Sequence, residues 1–238
     1  MLIRRIGIFF KGKFLGLLYR INEKIARTHL KKNQGLWSSL KNYIEKTDSI
    51  GCQYMDYWEL YKFVRSYKPV EILECGPGAT TVVMAYALME NEAQTGIRGR
   101  ITSMEEVKYW YEKVSILLPS HLSSYVEFLV SPRVEDTYSI FRGVKYRDTP
   151  DRPYDFVFVD GPNYKTPSDD VVTFDFDFIN VLKKSNTPVS AIIDKRISTC
   201  FVLQKILGLE KVKYNAIKGL GFVKPVTRSD LRLIDSVT

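Results

Sequence analysis

Val70 to Thr81 read VEILECGPGATT, an apolar run closed by an acid and followed by two glycines one residue apart, after which a helix-compatible stretch, TTVVMAYALME, continues from Ala79. A short Val- and Ile-containing run is a strand, and a longer apolar stretch beyond a glycine turn is a helix. Gly76 and Gly78 reach backbone conformations that side chains forbid, so a ligand can come close to the main chain there. The turn is therefore a candidate binding loop. Glu74 stands at the strand end, and Thr80 and Thr81 stand in the first helical turn, with Thr81 where a dinucleotide fingerprint would place its third glycine. All five flank the expected ligand.

Outward from this turn the pattern repeats. Apolar runs at 70–75, 100–104 (RITSM), 125–130 (YVEFLV), 154–159 (YDFVFV) and 188–193 (PVSAII) alternate with helix-length segments, which predicts an α/β, doubly wound, mostly parallel sheet with helices on both faces. Two further runs, KVKYNAI from Lys211 and GFVKPV from Gly221, predict an antiparallel C-terminal hairpin joined by Gly219 and Gly221. Residues 54–66 read as an amphipathic helix ending before Pro69, and the polar, proline-containing segment 143–153 (GVKYRDTPDRP) reads as a surface loop.

The 238 residues, 45% of them hydrophobic, support one sizeable core. Net charge is +8, but nine of the 35 basic residues and only Glu23 among the acids lie in residues 1–35, so positions 36–238 carry 26 of each. This distribution argues against a nucleic-acid reading for the whole protein, and no nucleic-acid partner is expected. Ile6, Phe10, Phe14, Leu17, Leu18, Ile21 and Ile25 recur at helical spacing with Arg and Lys between them. The division expected is a basic amphipathic helical extension over 1–50 and a catalytic domain over 51–238. Residues 1–30 then suit contact with a membrane surface or a homo-oligomer. The chain has no apolar run of membrane-spanning length and no signal-peptide pattern. Its three separated cysteines, Cys52, Cys75 and Cys200, form no disulfide framework, so a reducing cytoplasmic location is expected, peripheral to the inner face of a membrane if the helix binds lipid. His29 and His121 are too few and too far apart to make a zinc site.

ECGPGATT resembles the acidic-x-Gly-x-Gly motif of class I S-adenosylmethionine-dependent methyltransferases, particularly bacterial O-methyltransferases of small molecules and saccharides. The resemblance continues through ITSMEEVKYWYEKV and YDFVFVDGPNY, in the family's order, over roughly residues 54–207. It implies a Rossmann-like fold and S-adenosylmethionine as cofactor. Glu105 matches the acid that in this family binds the ribose hydroxyls, with Glu106 beside it, and the resemblance implies that Asp160 lies near the methyl group. A carboxylate suits a vicinal diol because it accepts two charge-assisted hydrogen bonds. Glu74 is compatible with a cationic sulfonium and awkward for a diphosphate.

Asp160 and Asp194 each follow an apolar strand, and ligands of open α/β sheets bind at such strand ends. These two, with Lys195, are the candidate catalytic residues, and Arg196 is expected at the same opening. Asp160 and Asp194 resemble the magnesium-binding aspartates of catechol-type relatives. Lys195 stands where those carry Asn, however, and an ammonium is no metal ligand, so a divalent metal is not expected. The reading is methyl transfer to a hydroxyl of a small-molecule or saccharide acceptor. Its alternatives are an aminopropyl transferase and a non-catalytic cofactor-binding partner protein.

Overall fold

The computed structural model of the chain describes residues 2–47 and 53–234, with side chains described from Gly16 onward. Cys52 and the side chains of Ile6, Phe10 and Phe14 lie outside the described residues. Strand β1 (Glu71–Cys75) pairs in parallel with β2 (Arg100–Glu105) on one side and with β6 (Phe156–Val159) on the other. β3 (Val126–Val130) extends the sheet beyond β2, and β7 (Val189–Asp194) extends it beyond β6. The hairpin of β8 (Val212–Asn215) and β9 (Leu220–Val226) closes the edge, with β9 antiparallel to β7. The order β3-β2-β1-β6-β7-β9-β8 is the Rossmann-like, doubly wound sheet that the alternating runs predict.

Both faces of this sheet are covered, which is why its strands read as nearly continuous apolar runs. Ile72, Ile101, Phe156, Phe158 and Ile192 face the helices α3 (Tyr54–Tyr67) and α4 (Ala79–Thr95). Leu73, Cys75, Met104, Val157, Val159 and Ile193 face α6 (Asp177–Lys184) and α7 (Ile197–Leu207). A fully buried Ile or Phe in such a layer contributes roughly 1.5–3 kcal/mol. α5 (Lys108–Leu117) adds Val114 to the first layer.

The two N-terminal helices, α1 (Leu2–Lys32) and α2 (Gln34–Lys46), contribute to the same core, because Leu30, Leu36, Leu40 and Tyr43 are buried with α4. Asn33 joins them. Its side chain accepts the Leu36 N–H at 3.1 Å, which caps α2, and donates to Glu90 of α4 at 2.8 Å.

Two sequence expectations change. Residues 143–146 are strand rather than loop: β5 (Phe141–Tyr146) forms an antiparallel hairpin with β4 (Arg133–Tyr138), and Val144 and Tyr146 are buried. Charged residues alternate with the apolar ones in RVEDTY and FRGVKY because one face of the hairpin is wet, which lowers the apolar signal. Gly219 does turn the terminal hairpin, at φ 70°, but Gly221 lies inside β9, where a Cβ would collide with the Cys200 sulfur.

Candidate functional site

Strand order reverses direction at β1, since β2 and β3 continue to one side and β6 and β7 to the other, and crevices for ligands open at the carboxyl ends of such strands. The structure has a cleft of about 370 Å³ there, lined by Gly76, Pro77 and Gly78 after β1, Glu105 and Glu106 at the end of β2, Asp160 to Asn163 after β6, and Trp110 and Val114 of α5. Another depression, of about 300 Å³, runs along α3 and β9 past Lys62, Phe63 and Lys224, away from these strand ends.

The cleft floor is made by two loops in contact. The N–H groups of Asp160 and Gly161 both donate to the Cys75 carbonyl, at 2.8 and 2.6 Å, and the Gly76 N–H donates to the Met104 carbonyl at 3.0 Å. Gly76 sits at φ 91°, and a Cβ on it would lie 2.9 Å from the Gly161 nitrogen. Gly161 is constrained in return, because its Cβ would lie 2.9 Å from Gly76 and from the Tyr146 hydroxyl. Gly76 is therefore required by loop-to-loop packing and by a left-handed backbone, before any ligand is considered. Gly78 precedes α4 in an extended conformation and donates to the Thr81 hydroxyl at 3.0 Å.

Glu74, Thr80 and Thr81 do not reach the cleft. Glu74 is 0% exposed, and its carboxylate accepts hydrogen bonds from the hydroxyls of Thr80 at 2.7 Å, Thr81 at 2.6 Å and Ser103 at 2.6 Å. It locks β1, β2 and the start of α4 together from behind the turn. Burial pushes its carboxyl up to about 7, although the three hydroxyls pull the other way. Glu74 therefore does not discriminate between ligands by its charge, contrary to the expectation from the sequence, because alternation along β1 turns its side chain away from the cleft and into the core.

Glu105 and Glu106 both line the cleft, in different states. Glu105 is half-buried and accepts the Val107 N–H at 2.8 Å; burial holds its carboxyl above the ordinary range. Glu106 is occupied as a strap, taking the Asn163 N–H at 2.9 Å while the Arg133 guanidinium lies 3.4 Å away. It ties the loop after β6 to the end of β2.

Asp160 opens onto the cleft after β6, and Asp194, 4% exposed, ends the neighbouring strand β7. Burial and the Asp160 charge push the Asp194 carboxyl up to about 7. Lys195 lies beyond Asp194 rather than in the cleft, with its ammonium 3.8 Å from Asp194 and 3.5 Å from Asp56 of α3. Arg196 does reach the cleft, but its guanidinium is spent on the Pro162 carbonyl at 2.7 Å, the Asp160 carbonyl at 2.5 Å and Asp175 at 3.4 Å. It braces the loop. Among the described residues no three His, Cys, Asp or Glu side chains converge as a metal site.

The structure thus brings Gly76, Gly78, Glu105, Glu106 and Asp160 to one cleft, sets Asp194 and Lys195 behind it, and leaves Glu74, Thr80 and Thr81 as its support. Sequence reading misses Thr47, Tyr146, Asn163 and Asp56. Asn163 follows the quoted DGP motif and was within reach. The others carry no local signal, since Thr47 lies just past α2, Tyr146 lies in the strand taken for a loop, and an acid in the first turn of a helix reads as a cap.

No protein-family model and no curated protein matches the chain. Solved structures similar to it include the SAH-bound methyltransferase PaMTH1 of Podospora anserina, at 12% identity and TM-score 0.43, covering 80% of this chain and 65% of that one. EvdMO1 is similar at 13% identity and TM-score 0.36, over 81% of this chain and 46% of its own. The plantazolicin methyltransferase BamL, in complex with a triazolic desmethylPZN analog and SAH, is similar at 10% identity and TM-score 0.33, over 76% and 60% respectively. The chain spans less than two thirds of the length of each.

Proposed function

We propose that the chain is an S-adenosylmethionine-dependent methyltransferase that binds its cofactor in the cleft at β1 and β6 and methylates a hydroxyl of a small-molecule or saccharide acceptor. The observation that carries this reading is the cleft's charge. Three of its described lining residues are acids, and its cation, Arg196, is consumed by backbone carbonyls and Asp175. A diphosphate there would meet carboxylates at like charge, costing on the order of 3 kcal/mol for each pair ~5 Å apart at an effective dielectric of 20. A ligand carrying a sulfonium and an ammonium gains where a diphosphate loses.

The residues fit that cofactor. Glu105 offers carboxylate oxygen to a ribose diol, Trp110 offers an aromatic face beside it, and the Gly76–Gly78 turn leaves the main chain open to approach. When bound, the cofactor supplies a methyl group on a cationic sulfur that leaves as a neutral thioether. This chain's part is to hold the acceptor oxygen in line, at roughly 3–3.5 Å, and to take its proton on Asp160. Calorimetry with S-adenosylmethionine, S-adenosylhomocysteine and NAD tests the reading. Micromolar binding of the first two and none of the third is expected, and NAD binding alone would remove it. Release of S-adenosylhomocysteine with hydroxylated acceptors, insensitive to EDTA, is the activity expected. Cofactor binding without transfer to any of them would favour a non-catalytic partner protein.

For residues 1–30 we propose a seat on an anionic membrane surface. Glu23, their sole acid, is turned inward, where its carboxylate accepts the N–H groups of Tyr54 and Met55 at 3.1 and 2.8 Å and caps α3. The opposite side of α1 exposes Leu17, Ile21 and Ile25 beside Arg20 and Lys24. Pairing two copies through this face would set like charges together, whereas acidic lipid complements them. Flotation with phosphatidylserine vesicles is expected, and not with neutral ones; a dimer in light scattering without flotation would overturn the proposal. Among the described residues no helix is long and apolar enough to cross a membrane.

A further inference from the structure

The loops that make the cleft floor let a ligand come close but give it no main-chain hydrogen. Pro77 and Pro162 have no N–H. The N–H of Gly76 is taken by the Met104 carbonyl at 3.0 Å, and those of Asp160 and Gly161 by the Cys75 carbonyl at 2.8 and 2.6 Å. Gly78 gives its N–H to the Thr81 hydroxyl at 3.0 Å, and Asn163 gives its own to Glu106 at 2.9 Å. Side chains beside the floor add little. Glu105, Glu106 and Asp160 only accept when ionised, the Thr47 hydroxyl donates to the Tyr43 carbonyl at 3.1 Å, and the Arg196 guanidinium is spent on two carbonyls and Asp175.

Tyr146 supplies the donor that the floor lacks. It is 1% exposed and lines the cleft where the two loops meet, with its hydroxyl 2.9 Å from where a Gly161 Cβ would stand. Among the described residues none hydrogen-bonds to that hydroxyl. The residue is held firmly from its backbone. Tyr146 closes β5 opposite Arg133 of β4, and its N–H donates to Asp177 Oδ1 at 3.1 Å in the first turn of α6. Two residues back, Val144 exchanges main-chain hydrogen bonds with Phe174 and Phe176 at 2.9 and 2.7 Å. Burial pushes the phenol well above its ordinary range, so it is a protonated donor at neutral pH. A buried hydroxyl without a partner costs stability, and a ligand that accepts from it recovers that cost.

The proposed cofactor carries one anionic group, the carboxylate of its amino-acid end. Its ribose hydroxyls and its ammonium find acceptors among the acids of the cleft, whereas its carboxylate meets like charge unless a donor stands there. We infer that Tyr146 is a cofactor-binding residue whose phenol donates to the carboxylate of S-adenosylmethionine. The inference rests on the proposed methyltransferase reading for the identity of the ligand, and on the floor's hydrogen-bond partners for the identity of the donor.

Calorimetry of wild type and Tyr146→Phe tests it, with S-adenosylhomocysteine and with 5′-methylthioadenosine, which keeps the nucleoside and the sulfur but lacks the amino-acid end. A phenol-to-carboxylate hydrogen bond is charge-assisted, so the variant should bind S-adenosylhomocysteine about tenfold or more weakly. Its affinity for methylthioadenosine should match that of wild type. Unchanged affinity for S-adenosylhomocysteine, or an equal loss for both ligands, overturns the inference. Thermal denaturation without ligand separates binding from structure. Phe fills the same space and removes a hydroxyl that no described residue pairs, so the Tm of the variant should equal or exceed that of wild type. A Tm lowered by several degrees, or failure to fold, would show that the hydroxyl is spent inside the fold and overturns the inference as well. Failure of wild type to bind either ligand refutes the methyltransferase reading itself and takes the inference with it, whereas wild-type binding with no selective loss in the variant removes the inference alone.

Discussion

Replacing Glu105 by Gln keeps the side chain's size and removes its charge at the position proposed to hold the cofactor ribose. In the structure one carboxylate oxygen is already engaged by the Val107 N–H at 2.8 Å, so the remaining lone pairs must serve the diol. A charge-assisted hydrogen bond contributes about 1.5–3 kcal/mol and a neutral one about 0.5–1.5, so one hydroxyl loses about 1 kcal/mol. The other meets an NH2 donor where it had an acceptor, for a total of about 2 kcal/mol, or roughly 30-fold in Kd. Calorimetry with S-adenosylhomocysteine measures this directly. Because burial holds the Glu105 carboxyl above its ordinary range, wild-type affinity should strengthen as pH rises through that titration, while the variant's stays flat. Glu106→Gln is the matched control and should cost less, since its carboxylate is committed to Asn163 and Arg133. Wild-type affinity in Glu105→Gln, or a larger loss in Glu106→Gln, would refute the assignment of the ribose to Glu105.

Gly161→Ala places a methyl 2.9 Å from the Gly76 backbone and the Tyr146 hydroxyl, and overpacking of this kind costs roughly 1–3 kcal/mol, so thermal denaturation should show Tm lowered by several degrees. An unaltered Tm would mean that the two loops are not in contact. The Glu74 carboxyl, raised in the fold from 4.5 to about 7, favours folding most at low pH and loses that contribution as pH rises through this window. Urea unfolding should therefore find wild-type stability, relative to Glu74→Gln, falling by on the order of 3 kcal/mol between pH 5 and pH 8. Parallel curves would place the Glu74 titration back in the ordinary carboxylate range.

Much of the fold was legible because it follows from local periodicity. Runs such as FVFV and AIID, buried on both faces, announce parallel strands without any tertiary information, and the Gly-x-Gly turn after VEILEC locates the sheet's switch point. The strands expected near 70, 100, 125, 154 and 188 lie within a residue or two of β1, β2, β3, β6 and β7. The hairpin of β4 and β5 escaped because its wet face fills the pattern with charge. Likewise, the basic stripe of α1 was readable, but not that Glu23 turns inward to cap another helix.

The sequence by itself determined which residue types stand at the strand ends: Glu74, Glu105, Asp160 and Asp194 are fixed by where each apolar run stops. Only the tertiary structure decided which of them face the cleft. Side-chain direction in a strand alternates with every residue, so whether the last acid points into the sheet or beyond it depends on a register that no single strand contains. Glu74 falls on the inward phase and is sealed by three hydroxyls, whereas Asp160 falls past the end of β6 and opens on the cleft. Partnership is still less local. Asp56 and Lys195 are 139 positions apart in the chain, and their ion pair exists because α3 packs across the sheet with its first turn near the end of β7, a placement set by burial of Tyr57, Leu60 and Val64 rather than by either charge.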